Sequence, residues 1–215
     1  AIKVAQESFK SGKICLWNAK MRFGKTITAL ELVKRNSQYT KVLIATHRPV
    51  VGSGWYEDYK KLFPFEIVEN FLFKKHKDGS VLYDFDDLRI DKENDQQIEQ
   101  WVKSKKQFIY FASVQDLRGS KIVGGTFDKN KKVFGTKWDL VIIDEAHEGW
   151  ETDLGKKVKE ELTKHSHTKV LYLSGTPFNI LDQFDTTTTF TWDYTQEQEA
   201  KLNWQNEHGD DHNPY

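Results

Sequence analysis

Short runs of consecutive apolar residues recur along the chain, and small, polar or charged residues close each of them. Runs of this length without alternation are typical of strands that are buried on both faces of a sheet. The sequence therefore predicts five buried strands, at residues 14–17, 42–45, 108–111, 141–143 and 170–173.

Apolar residues return at helical spacing between these runs, which predicts amphipathic helices after the first strand and before the last. Buried strands that alternate with such helices form a parallel sheet, because each crossover helix packs back onto one face. We therefore expect an α/β fold, a parallel sheet with helices on both faces and with polar insertions. The two helical patterns are carried by Ile27, Leu30 and Val33, and by Leu154, Val158 and Leu162.

Three segments interrupt this alternation. Residues 74–106 are strongly polar and residues 119–137 are rich in glycine and lysine, so we expect solvated insertions or loops there, with a hairpin at residues 127–133. After a threonine run, the pattern at residues 196–206 predicts a short helix. Residues 207–215 are typical of a linker that leads out of the domain.

Composition narrows the class of protein. The 32 basic and 32 acidic residues cancel, which argues against a histone-like binder of polyanions. The single cysteine, Cys15, excludes an intramolecular disulfide and a cysteine-based zinc cluster, and it indicates a reducing compartment, so we expect the cytoplasm. No apolar run reaches the ~18–20 residues that a membrane span needs, and we expect no membrane partner. The chain begins with Ala1 rather than Met, which suggests part of a longer protein.

A phosphate-binding loop is the most informative motif. Residues 19–26 read Ala-Lys-Met-Arg-Phe-Gly-Lys-Thr and lie between a predicted strand and a predicted helix. A Walker A loop needs this context, because its backbone N–H groups wrap phosphates at the positive end of the helix. Lys25 is expected to reach the β and γ phosphates of ATP, and Thr26 to bind Mg²⁺. The predicted nucleotide-binding set comprises Ala19, Met21, Arg22, Phe23, Gly24, Lys25 and Thr26.

The loop departs from the Walker A pattern at two positions. Ala19 replaces the first glycine, and Arg22 stands where many loops carry another. Since a non-glycine residue at a positive φ costs about 1 kcal/mol or more, we expect Arg22 to adopt an allowed conformation instead. Its side chain is either a surface cation or an added contact to the nucleotide or to a partner lobe.

Two adjacent carboxylates follow another buried strand, where residues 140–147 read Leu-Val-Ile-Ile-Asp-Glu-Ala-His. Ligands of open α/β sheets bind at the carboxyl ends of strands, and two bare acids there are costly unless a cation or a reaction uses them. We expect Asp144 to hold Mg²⁺ and Glu145 to orient and polarise the attacking water. The alternative is a pair of solvated loop acids. A third motif, Leu-Ser-Gly-Thr-Pro at residues 173–177, ends the next strand with a tight turn.

Taken in order, the three motifs resemble those of the first RecA-like lobe of superfamily 2 helicases and translocases, of the DEAD/DEAH type. The likeness is greatest to the branch of chromatin-remodelling-type ATPases and restriction-enzyme motors, in which the loop often carries a methionine, as at Met21, and the third motif often reads Gly-Thr-Pro. Residues 45–49 with Trp55, and residues 111–117, are similar to motifs Ia and Ib of that branch. The match covers roughly residues 14–179.

The resemblance implies roles for further residues. Core and rim packing accounts for most of the seven tryptophans, and for Trp150, which follows the acid motif, a position that faces nucleic acid or a second lobe is the alternative. For the residues assigned to nucleic acid, ordinary loop capping is the alternative, since hydroxyl and amide side chains are favoured in turns. The coupling set implied by the resemblance is His147, Ser174, Gly175 and Thr176, and the nucleic-acid set is Thr46, Arg48, Ser113 and Gln115.

The resemblance also implies an organisation. Residues 1–185 would form the ATP-binding lobe with a truncated amino terminus, and residues 186–215 a tail toward a second RecA-like lobe. That lobe would supply an arginine finger worth ~10³–10⁵ in rate, so the isolated chain is expected to hydrolyse ATP barely. The expected partner is nucleic acid, with translocation on duplex DNA favoured over strand separation. The family's glutamine motif, which reads adenine, is not identified, because Gln6 is poorly placed for it.

Two other classes of function remain open at this point. A P-loop phosphotransferase acting on a small molecule would need an acceptor pocket and a lid, for which residues 74–106 are the candidate; the Asp-Glu-Ala-His context argues against it. A nucleotide-gated interaction module without catalysis is the other alternative. A module that only binds has no need of Glu145, which argues against this alternative too.

Overall fold

Seven strands and eight helices are present in the computed structural model, which describes residues 1–47, 49–63, 70–72, 88–146, 150–178 and 180–209. The strands are β1 Ile14–Ala19, β2 Lys41–Thr46, β3 Phe71–Leu72, β4 Phe108–Ser113, β5 Leu140–Asp144, β6 Lys169–Ser174 and β7 Thr189–Trp192. The helices are α1 Ile2–Ser11, α2 Lys25–Arg35, α3 Gly52–Leu62, α4 Leu88–Ser104, α5 Val114–Arg118, α6 Lys131–Gly135, α7 Asp153–Thr163 and α8 Tyr194–His208.

The strands form one sheet in the order β3-β4-β2-β5-β6-β1-β7. Every pair of neighbouring strands is parallel. All five strands predicted from the apolar runs are confirmed, as β1, β2, β4, β5 and β6, and the two predicted helices are confirmed as α2 and α7. The α/β class is therefore correct.

Hydrophobic layers cover both faces of the sheet, because neighbouring strand residues point to opposite sides. Trp17 and Ile44 join the core cluster beneath α1, α2 and α3. Leu16 and Leu43, one position away on the same strands, join the cluster beneath α4, α5, α6 and α7. Strands buried on both sides have no polar face, which explains why their sequences show no alternation.

The two segments expected to be solvated insertions differ from that expectation. Within the first segment, residues 74–87 lie outside the described part, and Leu88–Ser104 form helix α4, whose Ile98 and Trp101 are buried in the core. The hairpin predicted at residues 127–133 is wrong, because Asn130 has a left-handed backbone and α6 begins directly after it. Spaced apolar residues among many charges were enough to anchor both segments.

A buried ion pair holds the second segment in place. The Lys129 Nζ lies 3.0 Å from Oδ1 of Asp116, and both side chains are 2% exposed. Asn130 donates to the other carboxylate oxygen at 3.2 Å, and the hydroxyl of Ser120 donates to the Lys129 carbonyl at 2.8 Å. Polar contacts therefore hold this segment in place together with its buried apolar residues, Val123, Val133 and Phe134.

The segment after residue 185 adds to the same sheet. Strand β7 pairs with β1, with Trp17 opposite Phe190 and Ala19 opposite Trp192. Asp193 then caps α8 in a capping box with Gln196, and α8 includes the short helix predicted at residues 196–206. The domain boundary at residue 185 stays a prediction, although four residues beyond it belong to the sheet. In the described part, no helix has the length and apolar character of a membrane span.

Candidate nucleotide-binding site

The three sequence motifs lie along one edge of the sheet. Because all the strands are parallel, their carboxyl ends meet at this edge. The register places Asn18 of β1 opposite Ser174 of β6, and Thr46 of β2 opposite Asp144 of β5. The phosphate loop, the acid pair and the Ser-Gly-Thr-Pro turn therefore follow neighbouring strand ends.

The backbone of the loop explains both of its departures from the Walker A pattern. Ala19 is still within β1 and fully buried, so its position does not need a glycine. Arg22 has a φ of +67°, which contradicts our expectation that it would avoid the left-handed region. The tight turn between β1 and α2 imposes this conformation, at a cost of ~1–2 kcal/mol for a residue with a side chain.

The amino end of α2 is suited to an anion. Gly24, with a φ of +85°, precedes the helix and has no side chain with which to cap it. The first N–H groups of a helix carry its partial positive charge, and here they lie beside the loop. Lys25 and Thr26 begin this helix and are partly exposed, as the predicted roles in phosphate and Mg²⁺ binding require. Met21, which was also predicted to bind nucleotide, is 82% exposed.

The ammonium of Lys25 lies inside the curve of the loop. Its Nζ donates to the carbonyl of Ala19 at 2.7 Å and to that of Lys20 at 3.3 Å. Gly175 approaches from the neighbouring turn, since a Cβ built on it would lie 3.8 Å from this Nζ and 3.6 Å from the Ala19 oxygen. The first and third motifs are thus in direct contact.

The carboxylate of Asp144 lies close to the same lysine. Burial raises the pKa of Asp144, and the charge of Glu145 adds to the rise, whereas the hydrogen bond from Trp55 and the charge of Lys25 oppose it. Trp55 Nε1 donates to Oδ2 at 3.1 Å, and the backbone N–H of Glu145 donates to Oδ1 at 3.0 Å. Both oxygens are therefore held by a donor.

The turn that carries Glu145 is strained. Its φ is +50°, a conformation that costs a non-glycine residue ~1–2 kcal/mol. The next residue, Ala146, is tied to β6 through a hydrogen bond from its N–H to the Leu173 carbonyl at 3.0 Å. His147 lies outside the described residues, and its coupling role stays a prediction.

The other coupling residues surround the turn after β6. Ser174 is fully buried, and its hydroxyl accepts a hydrogen bond from the Thr176 N–H at 3.2 Å. Thr176 itself is exposed. Gly175 and Ser174 therefore shape the turn beside Lys25, while Thr176 faces solvent at the edge of the sheet.

The residues assigned to nucleic acid differ in their exposure to solvent. Thr46 and Ser113 are 2% and 3% exposed, and the Ser113 hydroxyl caps α5 by accepting from the Asp116 N–H at 3.1 Å. Gln115 is exposed, and Arg48 lies outside the described residues. The nucleic-acid role of this set stays a prediction, and capping is observed for Ser113.

Two features of the candidate site are not predicted by the sequence motifs. Trp55 belongs to the segment similar to motif Ia, and its indole N–H donates to Asp144 of the acid motif, 89 positions away. The ring of Phe23 packs on Phe190 and Trp192 of β7, a strand that the sequence pattern did not predict. Trp150 is 2% exposed and lies in the core, so it packs as most tryptophans were expected to, and the alternative that it faces nucleic acid or a second lobe is wrong.

These residues fit a magnesium-bound triphosphate. The amino end of α2, which no side chain caps, and the Lys25 ammonium provide positive charge for phosphates. The Thr26 hydroxyl and the Asp144 carboxylate are oxygen ligands, the type that Mg²⁺ prefers. The arrangement therefore suits binding of a nucleoside triphosphate and attack by water on its terminal phosphate.

Comparison with known sequences gives a family and a relative. The sequence profile of the family described as Type III restriction enzyme, res subunit, matches residues 4–179. A putative type II restriction enzyme and methyltransferase of Mycoplasma pneumoniae is 28% identical over 229 residues, which cover 86% of this chain and 29% of that relative. The chain thus spans less than a third of the length of this relative.

Solved structures share the fold. A nuclease-deletion mutant of the Type ISP restriction-modification enzyme LlaGI, solved in complex with a DNA substrate mimic, matches 98% of this chain and 22% of its own, with a TM-score of 0.59 and 16% identity. The helicase domain of Pyrococcus furiosus Hef matches 93% of this chain and 39% of its own, with a TM-score of 0.57 and 14% identity. The RecA-like lobe implied by the sequence motifs is therefore confirmed as the fold.

Proposed function

Because this chain belongs to the family of the Type III restriction enzyme, res subunit, we propose that it is the ATP-binding half of an ATP-dependent nucleic-acid motor of a restriction system. The observation that carries the proposal is the position of three residues at one edge of the sheet: Lys25 begins α2 directly after the loop that follows β1, and Asp144 and Glu145 lie at the end of β5, with only β6 between the two strands. A P-loop lysine, an acid that binds the metal and a residue that positions water recur in nucleotide hydrolases.

Each residue has a distinct role in the proposed reaction. The α2 N-terminus and Lys25 bind the phosphates, and Lys25 exchanges its bonds to backbone carbonyls for bonds to phosphate oxygens. Thr26 and Asp144 would hold Mg²⁺, which when bound neutralises charge on the β and γ phosphates. Glu145 orients a water molecule and accepts its proton as the terminal phosphate is attacked.

The partner that we propose is duplex DNA, contacted through the loops after β2 and β4. Support comes from the exposed Gln115 at that edge and from the structural likeness to a restriction enzyme solved with a DNA substrate mimic. A second RecA-like lobe of the same protein would close over the ATP. Since that lobe would supply an arginine worth ~10³–10⁵ in rate, the isolated chain binds ATP and hydrolyses it barely.

The test compares phosphate release by the complete protein with and without duplex DNA. We expect DNA to stimulate the rate, Lys25→Ala to abolish ATP binding, and Glu145→Gln to retain ATP binding while losing about 100-fold or more in rate. Lys121→Ala and Glu151→Gln, which alter exposed residues of the same types, serve as matched controls. Unchanged hydrolysis by Glu145→Gln, or a rate indifferent to DNA, would contradict the proposal.

A second assay separates movement along DNA from strand separation. Displacement of a third strand from an intact duplex reports translocation, and release of one strand of the duplex reports unwinding. We expect displacement of the third strand alone. Release of duplex strands at a comparable rate would instead assign the protein to the unwinding class.

A further inference from the structure

An aromatic surface adjoins the phosphate loop on the side away from the acid pair. It consists of Phe23 in the loop, Phe190 and Trp192 on β7, and Tyr194 at the start of α8, and we name it the β7 aromatic cluster. The ring centroid of Phe23 lies 5.4 Å from that of Phe190 and 5.8 Å from that of Trp192. The first three residues are partly exposed, and Tyr194 is 69% exposed.

The cluster is fixed to the loop through Lys20. The backbone N–H of Lys20 donates to the Trp192 carbonyl at 3.0 Å, and its ammonium forms an ion pair with Glu197 of α8. The same ammonium lies 5.9 Å from the centre of the Tyr194 ring. The contacts of Lys20 therefore connect the rings to the segment that would wrap the phosphates.

The sheet order determines the side on which the nucleoside leaves the loop. Strand β1 lies between β6 and β7, and the acid pair is on β5, beyond β6. The terminal phosphate must lie toward Asp144 and Glu145, since those residues are placed to act on it. The opposite end of the triphosphate, which carries the sugar and base, then points across β1 toward β7.

The glutamine of the amino-terminal helix cannot serve this end of the nucleotide. Gln6 Nε2 lies 3.5 Å from Oδ1 of Asn36, and Asn36 follows the last residue of α2. The 11 residues of α2 span about 16 Å, so Gln6 lies at the far end of this helix from the phosphate loop. Another surface has to hold the base.

We propose that the β7 aromatic cluster is the base subsite of the nucleotide, where the base stacks on Trp192 and Tyr194; this inference rests on the proposed function. Stacking on aromatic side chains suits a half-exposed cluster, because every base has a π-face. The ligand class is therefore a nucleoside triphosphate recognised through ring area. Much of its base affinity comes from a strand beyond residue 185, outside the segment that carries the motifs.

The test measures the affinity of the full chain for Mg·ATP and for Mg·tripolyphosphate by calorimetry. Tripolyphosphate offers the same phosphates without a base, so it reports on the loop alone. We compare Tyr194→Ala and Trp192→Leu, which remove a ring, with Trp204→Ala as the matched control. Trp204 is on the same helix as Tyr194, and ten residues of helix separate the two by about 15 Å.

We expect the wild-type chain to bind ATP more tightly than tripolyphosphate. Tyr194→Ala and Trp192→Leu should each weaken ATP binding about 5- to 100-fold and leave tripolyphosphate binding within about twofold, while Trp204→Ala changes neither. An equal loss for both ligands would overturn the subsite, since the variants would then act through the loop. Unchanged ATP affinity in both variants, or equal wild-type affinity for the two ligands, would also overturn it and leave the proposed function standing. Binding of neither ligand by the wild-type chain would refute the proposed function, and the subsite with it.

Discussion

The hydrogen bond from Trp55 to Asp144 offers the sharpest test of the site. Trp55 is 2% exposed, and its Nε1 donates to Oδ2 of the carboxylate at 3.1 Å. The substitution Trp55→Phe removes this N–H and keeps an aromatic ring in the core. The carboxylate then retains the Glu145 N–H on Oδ1 and loses the donor that fixes its second oxygen.

The size of the effect follows from the charge on the acceptor. A hydrogen bond to a charged group contributes about 1.5–3 kcal/mol, and burial already disfavours the ionised form of Asp144. Without the Trp55 N–H, the Asp144 carboxylate is freer to rotate and its ionised form is less stabilised, so as the proposed metal ligand it should bind Mg²⁺ more weakly. At 1.4 kcal/mol for each factor of ten, we expect the Mg²⁺ concentration that half-saturates nucleotide binding to rise about 10- to 100-fold.

The assay is a Mg²⁺ titration of the binding of a fluorescent ATP analogue, with Trp150→Phe as the matched control. Trp150 is equally buried, and its Nε1 has no hydrogen-bond partner among the residues that the structure describes. The two variants lose similar ring area, but only Trp55→Phe also loses a hydrogen bond to a carboxylate, so its unfolding free energy should fall further by about 1.5–3 kcal/mol. If the Mg²⁺ midpoints of the two variants coincide, Trp55 does not act on Mg²⁺ binding through this bond and the reasoning is refuted.

Three further predictions concern stability. Asp116→Ala should lower the unfolding free energy in urea by about 3–5 kcal/mol, because it leaves the Lys129 ammonium buried without its carboxylate; a loss below about 1 kcal/mol would contradict this. Gly125→Ala should lower the unfolding free energy by about 2–3 kcal/mol, since the added Cβ would lie 2.4 Å from backbone atoms. Gly135→Ala is the control: no atom lies within 4 Å of its added Cβ, so the unfolding free energy should fall by less than about 1 kcal/mol. Burial raises the pKa of Cys15 from 9.0 to about 11, so between these pH values the thiol keeps its proton in the folded state and loses it in the unfolded state. The unfolding free energy should therefore fall by about 2–3 kcal/mol as the pH rises from 9 to 11. The Cys15→Ala variant should show a smaller fall over the same pH range.

The parts of the fold that could be predicted share one physical property. Strands buried on both faces need unbroken apolar runs, so their positions can be read without knowledge of their neighbours. Strand β7 carries Thr-Phe-Thr-Trp and is only half-buried, which gives no such run. Helix α4 was not predicted because its described residues include only two buried apolar side chains, Ile98 and Trp101, among many polar and charged ones.

The candidate site, too, could be predicted from the sequence only where local patterns encode it. The phosphate loop and the acid pair are local motifs, and their convergence follows from the parallel sheet. The partner of Asp144 is separated from it by 89 positions and depends on how α3 packs, which no local pattern encodes. For Ser113 the sequence left two roles open, because a hydroxyl after a strand can contact nucleic acid or cap the helix that follows. The structure shows that it caps α5.

The left-handed backbones of Arg22 and Glu145 bear on any effort to make this protein more robust. Both residues hold conformations that glycine adopts more readily, so replacement by glycine relieves strain and removes a charged side chain. A screen of variants for heat resistance alone should therefore enrich glycine at these two positions. Unless ATP turnover is measured as well, such a screen does not remove variants that have lost activity. Engineering of this lobe calls for joint selection on both properties, since two of its strained positions lie at the proposed site of hydrolysis.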